Sequence, residues 1–190
     1  MDGGSTDGTV DLARRYGARV IVSTRGRARQ MNAGAREARG ENLYFLHADT
    51  LPPHDWLQHL YAHGSLPCCF RLRFAGQEDH PLLGLYAWCT RFGVEAFRFG
   101  DQSLWVRRQD FLAVGGFPPW QLLEDNAVVR RLRRYCGGFE VLPHAVTTSP
   151  RKYLRYGIVR TQAVYVLLYG LYRLGAGQRL LHRVYRRLLR

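Results

Sequence analysis

The feature that most constrains this fold is an alternation of helical and extended apolar patterns across residues 9–63. Val10, Leu12, Ala13 and Tyr16 recur at helical spacing and end at Gly17. Residues 18–23, ARVIVS, are β-branched and short, as a buried strand is. Ala28, Met31, Ala35 and Ala38 then share one helical face, with Gly40 as the stop. Residues 42–50, NLYFLHADT, predict a strand with a polar end, and PPHDWLQHLYAHG predicts a helix with prolines at its start, where a missing N–H costs nothing. Helix, strand, helix, strand, helix in such short order implies an α/β layered fold with a parallel sheet.

The second half is less regular. PCCFRLRF alternates like an edge or antiparallel strand, PLLGLYAWCTRFG reads as a helix and QSLWVRR as a short strand. GGFPPW is a loop, and EDNAVVRRLRRYCGG a helix ended by Gly137. The four cysteines have no C-x-x-C spacing and point to buried reduced thiols.

Charge is concentrated at one end. The chain carries a net charge of +13, and the last 40 positions hold 10 basic residues and no acidic one. Residues 1–150 therefore read as the globular part and 151–190 as a basic tail. In that tail Leu180, Leu181, Val184, Tyr185, Leu188 and Leu189 share one helical face, opposite Arg179, Arg183, Arg186, Arg187 and Arg190. Ala163–Tyr172 is uncharged and mostly apolar, but it covers only about 15 Å of a bilayer core of about 30 Å. Two readings stay open: an interfacial helix pair on anionic membrane, docked through Leu180–Leu189, or helices that cover the domain's own core.

Three clusters can carry chemistry. Asp49, at the end of the FLHADT strand, is placed to hold a hard divalent cation, or else to cap a turn before Pro52; His47 can assist or be structural. Glu124 and Asp125 open a helix, where they either answer the helix dipole or supply a general base. RGRAR, residues 25–29, either grips phosphates or is a solvated helix start. His54, His59 and His63 lack the companions a zinc site needs.

DGGSTDGT, GRARQMNAGA, FLHADT, GDQSLWVRR with VGGFP, and LLEDNAVVRRL follow one another in an order that closely resembles family 2 glycosyltransferases, most of all their small bacterial branch. The resemblance implies a GT-A (Rossmann-like) fold: a mixed, mostly parallel sheet flanked by helices, here with an amphipathic helical tail. It also implies roles for single residues. Asp2 matches the aspartate that contacts the nucleotide base, Arg27 lies near a basic nucleotide-binding position, Asp49 matches the metal ligand and Asp125 the catalytic base. Gly3 and His47 depart from the pattern, standing where relatives carry acids.

The activity so implied is transfer of a sugar, hexosyltransferase-like, from a nucleoside-diphosphate sugar to an acceptor hydroxyl with inversion, assisted by magnesium or manganese. Trp120 offers a platform for a sugar ring. The location expected is cytoplasmic, or peripheral on the inner face of the membrane, with no nucleic-acid partner. Two other classes remain open: a catalytically impaired GT-A-like binding protein, and a basic membrane-surface or nucleic-acid module. DGGSTDGT is also a strand-to-helix turn with no strand before it. By the resemblance a strand, a helix and a second strand precede it, so the chain as given is expected to be N-terminally incomplete and impaired.

Overall fold

Two neighbours in sequence fall on opposite sides of one sheet: Leu43 faces one core and Tyr44 the other. The computed structural model describes residues 1–98 and 100–189. Its elements are α1 (Thr9–Arg15), α2 (Arg27–Glu37), β1 (Asn42–Phe45), β2 (Thr50–Leu51), α3 (Trp56–His63), β3 (Cys68–Phe74), α4 (Pro81–Cys89), β4 (Leu104–Arg107), α5 (Arg108–Ala113), α6 (Glu124–Cys136), β5 (Glu140–Thr148), α7 (Arg151–Tyr156), α8 (Ile158–Arg173) and α9 (Gln178–Leu188). The sheet runs in the order β1-β4-β3-β5-β2.

Period-two alternation splits the strands between two cores. Leu43 of β1 with Leu104 and Val106 of β4 packs under α2, α5 and α6, where Ala28, Ala35, Phe111, Val128 and Leu132 are buried. Tyr44 and Trp105 turn the other way, onto Phe70, Leu72, Leu60 and Leu83 from β3, α3 and α4. The α2 face predicted from Ala28 and Ala35 is the buried one, each side chain being 2% exposed. Alanines there let α2 approach closely. Gly116 shows how close: a Cβ on it would stand 2.7 Å from Asn32 Oδ1, and its φ is +64°. Asn32 closes that contact by donating to Phe117 O at 2.7 Å and accepting from Phe117 N at 3.0 Å.

The sheet is mixed, but not mostly parallel among the described residues. The β1–β4, β3–β4 and β2–β5 pairs are antiparallel, and only β3–β5 is parallel. ARVIVS makes one parallel bridge, Val22 to Asp2, rather than a strand; a ladder needs a partner of equal length, and Asp2 supplies a single rung. β5 was not foreseen at all. Its register against β3 jumps from Phe70–Leu142 to Arg71–Ala145, which leaves Pro143 and His144 in a bulge. A proline has no N–H for the ladder and is tolerated at that point.

The tail corrects a second expectation. Most of the Leu180–Leu189 face is turned inward: Leu181 and Leu189 are 0% and 2% exposed, and Val184, Tyr185 and Leu188 pack with them, whereas Leu180 stays 43% exposed. They meet Val164 and Leu168 of α8 and Leu122 and Leu123 of the loop before α6. Docking on a membrane through this face is closed off, because its apolar area already covers the domain. Arg179, Arg183, Arg186 and Arg187 face solvent; Arg190 lies outside the described residues.

Candidate functional site

A cleft of about 710 Å³ opens between the sheet's polar edge and the C-terminal helices. Arg27, Asp49, Asp101, Asp125, Trp120 and Lys152 all line it. Three of the four predicted site residues thus share one space, although Arg27 and Asp125 lie almost a hundred positions apart.

Asp125 stands in the first turn of α6, side chain 12% exposed. Burial, less the relief from Arg27, pushes its carboxyl up to about 6. Arg27 Nη2 is 3.1 Å from Asp125 Oδ2, and Arg27 Nε donates to Glu124 Oε1 at 2.5 Å. Burial alone would lower the Arg27 pKa; the two carboxylates outweigh it and hold the guanidinium charged. Glu124 is fully buried, and among the described residues its Oε2 has no hydrogen-bond partner.

His47 and Asp49 part company despite being neighbours in HAD. His47 Nδ1 lies 3.0 Å from Asp101 Oδ1, and this contact raises the imidazole pKa against the opposing effect of burial. Burial would raise the Asp101 pKa, but the same bond and the His47 charge bring it below the usual carboxylate range. Asp49 instead sits at the cleft's lip, half-exposed, accepting from Arg151 Nη2 at 3.2 Å. Asp101 is the site residue that the sequence reading did not single out. Its motif GDQ was visible, but nothing in one sequence pairs it with His47.

Backbone strain marks the same place. Among the described residues, only Ser103 and Leu123 are non-glycine with positive φ, at 68° and 62°. The first follows Asp101 by two positions, and the second directly precedes Glu124. Such conformations persist where surrounding structure over-determines them, often at functional sites.

Asp2 is not on the cleft wall. Its carboxylate accepts from Gly4 N at 2.7 Å, Ser5 N at 2.9 Å and Ser5 Oγ at 2.5 Å, and these bonds lower its pKa. The loop it ties lies against Arg25 and Gln30, the former a cleft residue. Trp120 does line the cleft, edge-to-face with Tyr172 at 6.0 Å.

A divalent ion fits this donor set in one way. Among the described residues no three His, Cys, Asp or Glu side chains converge as metal ligands. Magnesium and manganese are commonly held by one or two carboxylates together with phosphate oxygens. Asp49, half-exposed at the lip, suits the single-carboxylate case; His47 is already engaged by Asp101.

A helix-flanked mixed sheet with its polar strand ends gathered at one cleft is the GT-A architecture, and solved structures of that class match it. The mannosyltransferase PcManGT from Pyrobaculum calidifontis, solved with GDP-Man and Mn2+, aligns over 97% of this chain with a TM-score of 0.66 and 18% identity. S. aureus TarS aligns over 87% with a TM-score of 0.59 and 18% identity. This chain spans 58% of the first protein and 33% of the second. Residues 1–65 match the profile of Glycosyl transferase family 2, a stretch that holds Asp2, Arg27 and Asp49. The N-terminal third is therefore family 2 glycosyltransferase sequence, set in a chain of GT-A fold. No curated protein matches the chain.

Proposed function

We propose that the chain transfers a sugar from a nucleoside-diphosphate sugar to an acceptor hydroxyl with inversion, in the manner of hexosyltransferases. The observation that carries this is Asp125: a buried carboxyl with a pKa of about 6, lining a cleft that also holds Asp49 and Arg27. A base poised there is ionised at neutral pH yet basic enough to take a hydroxyl proton. The acceptor oxygen attacks the anomeric carbon on the face opposite the leaving nucleoside diphosphate, and Asp125 takes its proton.

Arg27 positions that base. Its Nε and Nη2 are committed to Glu124 and Asp125, which leaves Nη1 for a phosphate oxygen of the donor. Asp2 acts one shell back, fixing the loop beside Arg25 where the nucleotide base is received. Asp49 would hold a magnesium or manganese ion, whose chemistry is to neutralise charge building on the pyrophosphate as it leaves. Residues 1–150 form the donor-binding and catalytic part. Residues 151–190 complete the cleft through Arg151, Lys152 and Tyr185, and the location proposed for the protein is cytoplasmic, peripheral on the inner face of the membrane.

The deciding experiment incubates a panel of nucleoside-diphosphate sugars, GDP-mannose among them, with manganese and follows released nucleoside diphosphate. Release by the parent and not by Asp125→Asn supports the reading. Equal release by both removes Asp125 as the base.

A further inference from the structure

Helix α8 is apolar on both sides, and only one side is used by the fold. Thr161, Val164 and Leu168 are buried against α9 and the rest of the domain. On the opposite face Val159, Ala163, Val166, Leu167 and Gly170 are exposed in register, continued by Leu174 just past the helix end. Val159 and Val166 are 62% and 64% exposed, and Leu174 is 86% exposed. The stripe runs about 22 Å along the helix. Solvent-facing helix sides are ordinarily polar, so a continuous exposed apolar face marks a surface with a partner.

The charges of the same helical hairpin identify that partner. Arg160 and Arg173 flank it on α8 itself. On α9, Arg179, His182, Arg183, Arg186 and Arg187 line a shallow groove of about 500 Å³. No acidic residue occurs anywhere from 151 to 189. A second copy seated on this face would set arginine against arginine. Nucleic acid would meet the arginines but leave the aliphatic stripe in water. No described helix is long and apolar enough to cross a membrane.

We infer that the α8–α9 hairpin is a docking surface for an anionic bilayer, with the Val159–Leu174 stripe entering the boundary between headgroups and acyl chains and the arginines meeting lipid phosphates. The buried leucines of α9 take no part in the contact; they brace the hairpin that presents it. This reading stands independently of the sugar-transfer proposal, and its test needs no activity.

The full chain is floated with vesicles of equal parts phosphatidylcholine and phosphatidylglycerol, and separately with phosphatidylcholine alone. The parent is expected to float with the mixed vesicles and to be left behind by the neutral ones. The double variant Val166→Gln/Leu167→Gln, at exposed positions, is expected to lower partitioning by about tenfold or more, as is Arg183→Gln/Arg186→Gln. Circular dichroism confirms that each variant is folded. Flotation by the first variant equal to the parent's overturns the proposal, as does equal flotation with neutral vesicles. It is also overturned if vesicles are ignored while duplex DNA is bound through the arginines, or if the protein is a dimer that Val166→Gln/Leu167→Gln dissociates.

Discussion

Arg27 ties the start of α2 to the start of α6: its Nε lies 2.5 Å from Glu124 Oε1 and its Nη2 3.1 Å from Asp125 Oδ2. Two helix N-termini carrying acids and a cation are joined by one side chain, so this fork sets both the geometry and the charge of the cleft floor. Arg27→Ala leaves Glu124 fully buried without its counter-charge. Breaking a buried pair costs about 3–5 kcal/mol; with the Arg27 head 45% exposed, the expectation falls to about 2–3 kcal/mol. Urea denaturation of the parent and variant measures it. Arg27→Lys keeps the charge but not the fork and is expected to lie between them. A loss below about 0.5 kcal/mol for Arg27→Ala, the scale of an ordinary surface change, would show that the fork does not hold the helices.

Asp125→Asn keeps shape and removes the proton acceptor. Transfer is expected to drop by about 10²–10⁴-fold, with nucleotide affinity nearly unchanged because the pyrophosphate is held elsewhere. Single-turnover assays beside calorimetric binding of GDP separate the two effects. Parallel losses in both would make Asp125 a binding residue instead.

The pH dependence of stability carries a definite sign. The Asp125 carboxyl titrates at about 6 in the folded chain against 3.8 for an unperturbed aspartate. Between those values the native state binds more protons than the unfolded one, so stability falls as pH rises from about 4 to 6, by up to about 3 kcal/mol. Asp101 acts at lower pH: its depressed pKa gives stability that is lost as pH falls through values below 3.8. His47, with its pKa raised above 6.5, loses its contribution as pH climbs through that higher value. The difference between parent and Asp125→Asn therefore isolates the middle window: the variant gains relative stability there, reduced by whatever its amide loses against Arg27. In the same window kcat/KM of the parent should rise with a midpoint near 6. A flat difference curve from pH 4 to 7 would contradict the raised pKa.

The elements legible in the sequence are those whose own residues decide them. Ala28 and Ala35 mark the buried side of α2, Pro81 opens α4, and Gly137, at φ +75°, closes α6. What was illegible depends on partners remote in sequence. β5 goes unread because Pro143 and His144 break its alternation until β3 supplies a register that bulges around them. Strand direction has no local signature, so a sheet with three antiparallel pairings was read as mostly parallel. Asp49 and Asp125 were visible as candidates because family motifs surround them. Asp101 was not, because its meaning lies in the 3.0 Å contact with His47, 54 positions away. The leucine face of α9 was legible as amphipathic, but periodicity does not say whether the apolar side meets lipid or the protein's own core.

Leu181 tests the tail's place in the fold. It is fully buried among Val164, Leu168 and Leu189, in the cluster that also holds Leu122 and Leu123 beside Glu124. Leu181→Ala is expected to cost about 2–5 kcal/mol, whereas a change at exposed Val166 should stay within about 0.5 kcal/mol. Equal, small effects at both positions in thermal melts would mean that α9 is not packed as described.

The contact between Asp49 and Arg151 gives the last prediction. Arg151 is 79% and Asp49 41% exposed on their side chains, so the 3.2 Å pair is a surface ion pair worth about 0–1 kcal/mol to the fold. Its larger effect is on metal binding, because the guanidinium stands beside the carboxylate proposed to receive the ion. A divalent cation must share Asp49 with that charge or displace it, and like charges a few ångströms apart near the surface repel by about 1 kcal/mol or more. Arg151→Ala is therefore expected to leave the melting temperature unchanged and to tighten manganese binding in the presence of GDP by about threefold to tenfold. Asp49→Ala should abolish the manganese dependence of GDP binding altogether. Calorimetric titration of manganese into protein with GDP reads both. If Arg151→Ala weakens GDP binding instead, Arg151 is a phosphate ligand; if Asp49→Ala leaves the manganese dependence intact, the ion is not held at Asp49.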